Sequence, residues 1–196
     1  MKSLKILIIM LLSFISVVNV YAFDNKIFHP NITEVIADVY NYQNGNKLSE
    51  RDIEGLKKGS SDEDSPFLRS INHFYDPVYN RTWKFFGVEY AFPELTAKKW
   101  AEDDLMQSKY DAGFWAKMSI LDLCLKDSSQ NFTWQKAVYQ YIKGDRDGAF
   151  YTLGHVLHLI EDMGSVPHTR ADVHLPMGGD ASYVEEKAST LTYSQF

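Results

Sequence analysis

GHVLHLIEDMGSVPHTRADVH, residues 154–174, decides how this chain is read. It holds four of the six histidines, His155, His158, His168 and His174, and three acids, Glu161, Asp162 and Asp172. His158 and Asp162 are four apart, so on a helix they leave one face about one turn apart. His168 follows beyond Gly164 and Pro167, where that helix is expected to break. Two imidazoles and a carboxylate at this spacing can close around a divalent metal. The plainer alternative is an amphipathic core helix whose C-terminal dipole favours histidine.

Outward from that stretch, the amino terminus carries a different signal. Lys2 and Lys5 precede an apolar run over 6–18, and Val20, Tyr21 and Ala22 form a small-residue cleavage site. Residues 1–22 are therefore predicted to be a secretory signal peptide, cleaved to start the mature chain at Phe23 and deliver it outside the cell or to the periplasm. The run is short for a bilayer span of about 20 residues. Losing Lys2 and Lys5 leaves 18 basic residues against 26 acidic ones, a formal charge of −8. That balance argues against a broad surface for duplex nucleic acid. Cys124 is the only cysteine, so no intramolecular disulfide forms. It sits in the apolar run SILDLCL and reads as core.

The body of the chain is helical in pattern. Asn31 can cap a helix with Glu34 as its box partner, and Val35, Ile36, Val39 and Tyr40 make its apolar face. His29 falls just before that helix. Residues 44–47 read as a polar turn. Ser49 and Asp52 cap a second helix ending near Gly59. The acids Asp62, Glu63 and Asp64 follow, most simply as a solvated loop. Asp64 and His73 could instead be ligands that the intervening turns bring together. Residues 79–93 are aromatic-rich and read as a packed loop. Helices are expected over 96–108, 112–126, 133–143, 149–162 and 181–192. No strand alternation persists, so the fold class is all-α, about six helices round one core in a single domain. There is no phosphate-binding glycine loop, serine elbow or CxxC pair.

Three separated stretches resemble the bacterial zinc-dependent phospholipase C family, whose all-α fold is shared with fungal single-strand nucleases. FDNKI at 23–27 looks like the family's mature start, NHFYDP at 72–77 like its central His motif, and HLIEDMGSVPHT at 158–169 like its His, Asp, His signature. The matches keep the family's order and span nearly the whole of 23–196. The resemblance implies three zinc ions. One would be held by Asp64, His73, His158 and Asp162. A second would be held by the backbone amine and carbonyl of Phe23, by His29, and by Asp162 as a bridge. His168 and ligands from the last helix would hold the third. In the family that last pair is a His and a Glu four residues later. Here Ala181 and Ser182 stand four before Glu185 and Glu186, leaving Glu185, with Asp180 or His174, to complete the site. Asp62 is the fallback should Asp64 not reach. The chain also ends soon after that helix, as a fragment or a short member would.

The implied activity is hydrolysis of phospholipid head-group phosphodiesters by a metal-activated hydroxide. Asp64 would orient the attacking water or accept its proton. A free α-amine at Phe23 exists only after cleavage, so processing is expected to complete the second site. His155 has no ligand role in the resemblance and reads as a packing or orienting residue. A monomer making transient contact with a membrane surface is expected. The alternatives are a single-strand nuclease, which would want an aromatic base-stacking pocket from Tyr75, Phe85, Phe86 or Tyr90, and a zinc-stabilised module without activity.

Overall fold

The computed structural model describes residues 26–65, 67–82, 84–85, 88–89, 96–104, 107 and 131–171. The leader, Phe23, the Cys124 run, His174, Asp180, Glu185 and Glu186 lie outside the described residues. Among them the regular structure is helical, apart from a two-residue antiparallel pairing of β1 (Lys84–Phe85) with β2 (Val88–Glu89) and an isolated bridge between Asp76 and Arg81. That pairing falls inside the 79–93 stretch expected to be a packed loop, most of which lies outside the described residues. No described helix is long and apolar enough to cross a membrane.

The first helix, α1 (Phe28–Asn44), begins three residues before the expected Asn31 cap. Pro30 allows this, because it falls in the first turn, where a backbone N–H has no helical partner to lose. His29 therefore stands inside the helix. The inward face of α1 is not the apolar one either. Ile36, Val39 and Tyr40 are exposed, and His29, Thr33 and Ala37 are buried at intervals of four. Gly45 closes the helix in the left-handed region, φ +72, with its N–H on the Asn41 carbonyl.

Ser49 and Asp52 form the expected capping box of α2 (Glu50–Asp62), in which Asp52 also holds the Arg146 guanidinium at 2.7 and 2.9 Å. The helix runs past Gly59 because Gly59 is needed for a helix crossing, not for an end. Thr96 caps α3 (Ala97–Glu102), and an extended Asp103 breaks the helix expected over 96–108, with Asp104 and Gln107 helical again beyond it. The side chain of Gln107 then takes the Trp100 carbonyl at 2.5 Å and accepts from Phe132 N–H at 2.8 Å, tying the end of α3 to α4 (Trp134–Ile142). Asp145 caps α5 (Arg146–Asp162) three residues before the expected start. It ends just before Gly164 as anticipated, whereas Pro167, also expected at the break, sits in the first turn of α6 (Val166–Arg170).

Helix α5 is central, with α2 lying along it most extensively and α1 and α4 flanking the pair. Ala37, Leu56 and Phe150 form one apolar cluster, and Ala97, Trp100 and Leu159 another. The α2–α5 crossing is close enough that a Cβ on Gly154 would fall on the Leu56 carbonyl oxygen and 2.9 Å from the Gly59 Cα. Both obstacles are backbone and cannot rotate away. We expect Gly154→Ala to cost at least the upper end of the about 1–3 kcal/mol typical of overpacking, measured as a lowered urea midpoint. An unchanged midpoint would show that the helices can part freely. This crossing matters to the site, since it sets Ser60 of α2 against His158, one turn further along α5.

Candidate metal centre

The last turns of α2 and α5, the first turn of α1 and the segment after the 3-10 turn Phe67–Asn72 meet at one buried cluster. Asp162 is at its middle. His29 Nε2 lies 3.5 Å from its Oδ1, while His73 Nδ1, His158 Nε2 and His168 Nδ1 lie 2.9, 3.4 and 3.6 Å from its Oδ2. Asp64 Oδ1 is 3.4 Å from His73 Nδ1 and 3.7 Å from His158 Nε2. The notion that Asp62 must stand in for Asp64 is unnecessary. Asp62 turns to Lys58 and the Tyr151 hydroxyl instead.

Three of these donors, from Asp64, His73 and His158, converge as the ligands of one cation would. A tetrahedral zinc with bonds of 2.0–2.2 Å keeps its donors about 3.3–3.6 Å apart. Asp64 Oδ1 lies 3.4 Å from His73 Nδ1 and 3.7 Å from His158 Nε2, near that spacing, with Asp162 Oδ2 beside them at 2.9 Å from His73 Nδ1 and 3.4 Å from His158 Nε2. A second group, His29, His158 and Asp162, also converges. His158 has only Nε2 to offer, because its Nδ1 donates to the Ser60 carbonyl at 2.7 Å. It can therefore serve one position at a time, whereas Asp162 faces both with different oxygens.

The polar bookkeeping points the same way. Asp162 is fully buried, yet neither of its oxygens accepts a hydrogen bond. The surrounding nitrogens are near in distance but not aligned as donors. His158 Nε2 is likewise buried without a hydrogen-bond partner. A buried anion is costly without compensation, and a cation bound among these atoms would compensate it. The buried His/Asp groups can thus hold a metal ion.

The ring orientations are fixed from behind. The carbonyl that His158 Nδ1 meets belongs to the last turn of α2, where carbonyls lack helical donors. His168 Nδ1 donates to the His73 carbonyl at 2.8 Å, and its ring stacks on Phe74 at 4.4 Å. His29 stacks on His158 at 3.8 Å. Such outer contacts set which nitrogen faces a metal. The described residues thus bring together His29, Asp64, His73, His158, Asp162 and His168. Phe23 and Glu185 fall outside them.

Glu63 is the main surprise of the acidic cluster. The expected solvated loop would expose it, but it is fully buried. Arg69 Nη2 donates to both its oxygens at 3.0 and 2.8 Å, Trp100 Nε1 to Oε1 at 2.9 Å, and His155 Nδ1 to Oε2 at 2.5 Å. Burial works against the charged carboxylate, but Arg69, His155 and His73 outweigh it and hold its pKa well below the usual range. His155 stacks on Phe132 at 3.7 Å and, with burial dominating, is kept below its ordinary pKa. It packs behind the metal-facing residues, as expected. Of the proposed base-stacking aromatics, Tyr75 packs against the Ala97–Trp100–Leu159 cluster. The Phe85 side chain, Phe86 and Tyr90 are outside the described residues.

Protons occupy the cluster's negative field when metal does not. Burial disfavours the His158 imidazolium, yet Asp162 and Asp64 overcome burial and push its pKa up to about 10, from 6.5. Burial also raises Asp162, but His168 and His158 outweigh it and hold the carboxyl well below 3.8. A pKa raised on folding stabilises below the unfolded value and ceases to do so above the folded one. Metal-free protein should therefore lose stability as pH rises from about 6.5 to about 10. Metal affinity should rise over the same interval, because the ligand must be neutral. Thermal unfolding with a chelator and zinc competition across that range test both, and two flat profiles would refute the coupling.

Comparison of the chain with family models, with curated proteins and with solved structures returned no match.

Proposed function

We propose that the chain is an exported zinc-dependent phosphodiesterase, of the phospholipase C type, acting on phospholipid head-group phosphodiesters. The observation that carries this reading is the convergence of Asp64, His73 and His158, and of His29, His158 and Asp162, at donor separations of 2.9–3.7 Å round an otherwise uncompensated buried carboxylate. Mixed imidazole and carboxylate donors suit zinc better than calcium or magnesium, which prefer oxygen alone. Bound zinc supplies a Lewis acid for a phosphoryl oxygen and a water whose pKa approaches neutrality.

The remaining chemistry belongs to the chain. Asp64 has a side chain 17% exposed, while those of His73, His158 and Asp162 are at most 1% exposed. Asp64 therefore marks the open side, where substrate arrives and where a carboxylate can orient water or accept its proton. His158 and His168 are held by backbone carbonyls, so their rings are set before substrate binds. Asp162, with His29 on its other oxygen, would be the residue shared by two cations.

Elemental analysis of the protein, followed by assays on a choline phospholipid, a simple phosphodiester and single-stranded DNA, tests the reading. Zinc uptake with lipid turnover is expected. Turnover of DNA alone would replace phospholipase by nuclease, zinc without turnover would leave a binding module, and folded protein without zinc would remove the metal argument.

A further inference from the structure

Glu161 precedes Asp162 in the chain but lies behind His29, with its side chain 3% exposed. Both its oxygens are engaged. Oε1 accepts from Thr33 Oγ1 at 2.7 Å, and Oε2 accepts from His29 Nδ1 at 2.7 Å and from Ser60 Oγ at 3.1 Å. Three donors from α1 and α2 thus converge on one acid of α5. With its Nδ1 proton directed at Glu161, the His29 ring turns Nε2 to Asp162 Oδ1 at 3.5 Å. Stacking on His158 at 3.8 Å and 18° limits its tilt.

We propose that Glu161 is a positioning residue that locks His29 in the Nδ1–H tautomer and so aims its Nε2 lone pair into the His29–His158–Asp162 group. The inference rests on the metal reading of that group. It divides labour within a consecutive pair of acids. Asp162 faces the cation, and Glu161 holds the histidine that will meet it. Thr33 and Ser60 keep Glu161 from rotating toward the cation itself, since its oxygens would have to abandon two buried hydroxyls. A carboxylate behind a histidine also raises the basicity of the ligating nitrogen, and losing such a partner typically costs about 10–100-fold in metal affinity.

The test uses the full chain stripped of metal, as wild type, Glu161→Gln and Glu161→Ala. Long-range nitrogen–proton spectra report the His29 tautomer, assigned by the signal lost in His29→Asn. Zinc affinity is measured by chelator competition. Wild type should show the Nδ1–H form. Glu161→Gln retains an acceptor oxygen and should keep both the tautomer and most of the affinity. Glu161→Ala should mix the tautomers and lose about 10–100-fold at one zinc position. An Nε2–H tautomer in wild type, or equal zinc affinity in wild type and Glu161→Ala, would overturn the proposal while leaving the metal reading intact. Wild type with the Nδ1–H tautomer but no zinc uptake would overturn the metal reading alone. Should Glu161→Ala fail to fold, the wild-type tautomer and the Glu161→Gln affinity still decide the question.

Discussion

Replacing Asp162 with Asn should abolish zinc binding at both positions together. The change is nearly isosteric, so packing is preserved and the loss is electrostatic. Asp162 presents one oxygen to His29 and the other to His73, His158 and His168, and no other described carboxylate spans both groups. An outer partner of a metal ligand contributes about 10–100-fold in affinity, and a bridging ligand should exceed that. On the proposed reading, phosphodiester hydrolysis should fall to background with it. A second signature needs no metal. The His158 pKa stands at about 10 because Asp162, with Asp64, outweighs burial. Without the Asp162 charge it should drop by an amount that a proton NMR titration resolves. Stoichiometric zinc at unchanged affinity in Asp162→Asn would show that Asp162 is a bystander. An unmoved His158 pKa would show that the field at the site has another source.

The second large effect should come from a residue that need not touch metal. Glu63→Ala removes a buried carboxylate partner of Arg69, whose side chain is only 4% exposed and lies about 5 Å from the rings of Trp100 and Phe132. Removing one member of a buried ion pair strands the other, at about 3–5 kcal/mol. Trp100 Nε1 and His155 Nδ1 would lose their acceptor as well. Asp62→Ala, one residue away, is the internal control. Asp62 meets Lys58 and Tyr151 at the surface, so the change should cost within about 1 kcal/mol. Urea unfolding of the two variants gives the contrast. Equal small losses would mean that the Glu63 network adds nothing beyond packing.

That contrast within three consecutive acids marks where reading a sequence ends. Asp62, Glu63 and Asp64 look alike locally. The first faces solvent and the second is buried structurally. The third reaches His73 and His158. Which does which depends on how α2 ends against α5, a contact between residues about a hundred apart. The same holds for α1. Its regular apolar positions suggested the buried face, yet Thr33 and His29 face inward because Glu161 and Asp162 are there to meet them. Polar partners of that kind have no periodic signature. Glu161 itself was visible only as one acid beside another.

The spacing of His158, Asp162 and His168 around a helix break was determined by the chain alone, because helix geometry sets faces at intervals of four and because glycine and proline end helices locally. So were the Ser49–Asp52 cap, whose hydrogen bonds close within three residues, and the helical class. Only the tertiary structure decided that α1 and the segment at His73 deliver their imidazoles to the same carboxylate. It alone placed Glu63 and Glu161 behind those imidazoles. A ligand's identity is local chemistry, but the distance between two ligands is a property of packing. Here that packing is the close α2–α5 crossing at Gly59 and Gly154, where the absence of two side chains lets the site's helices meet.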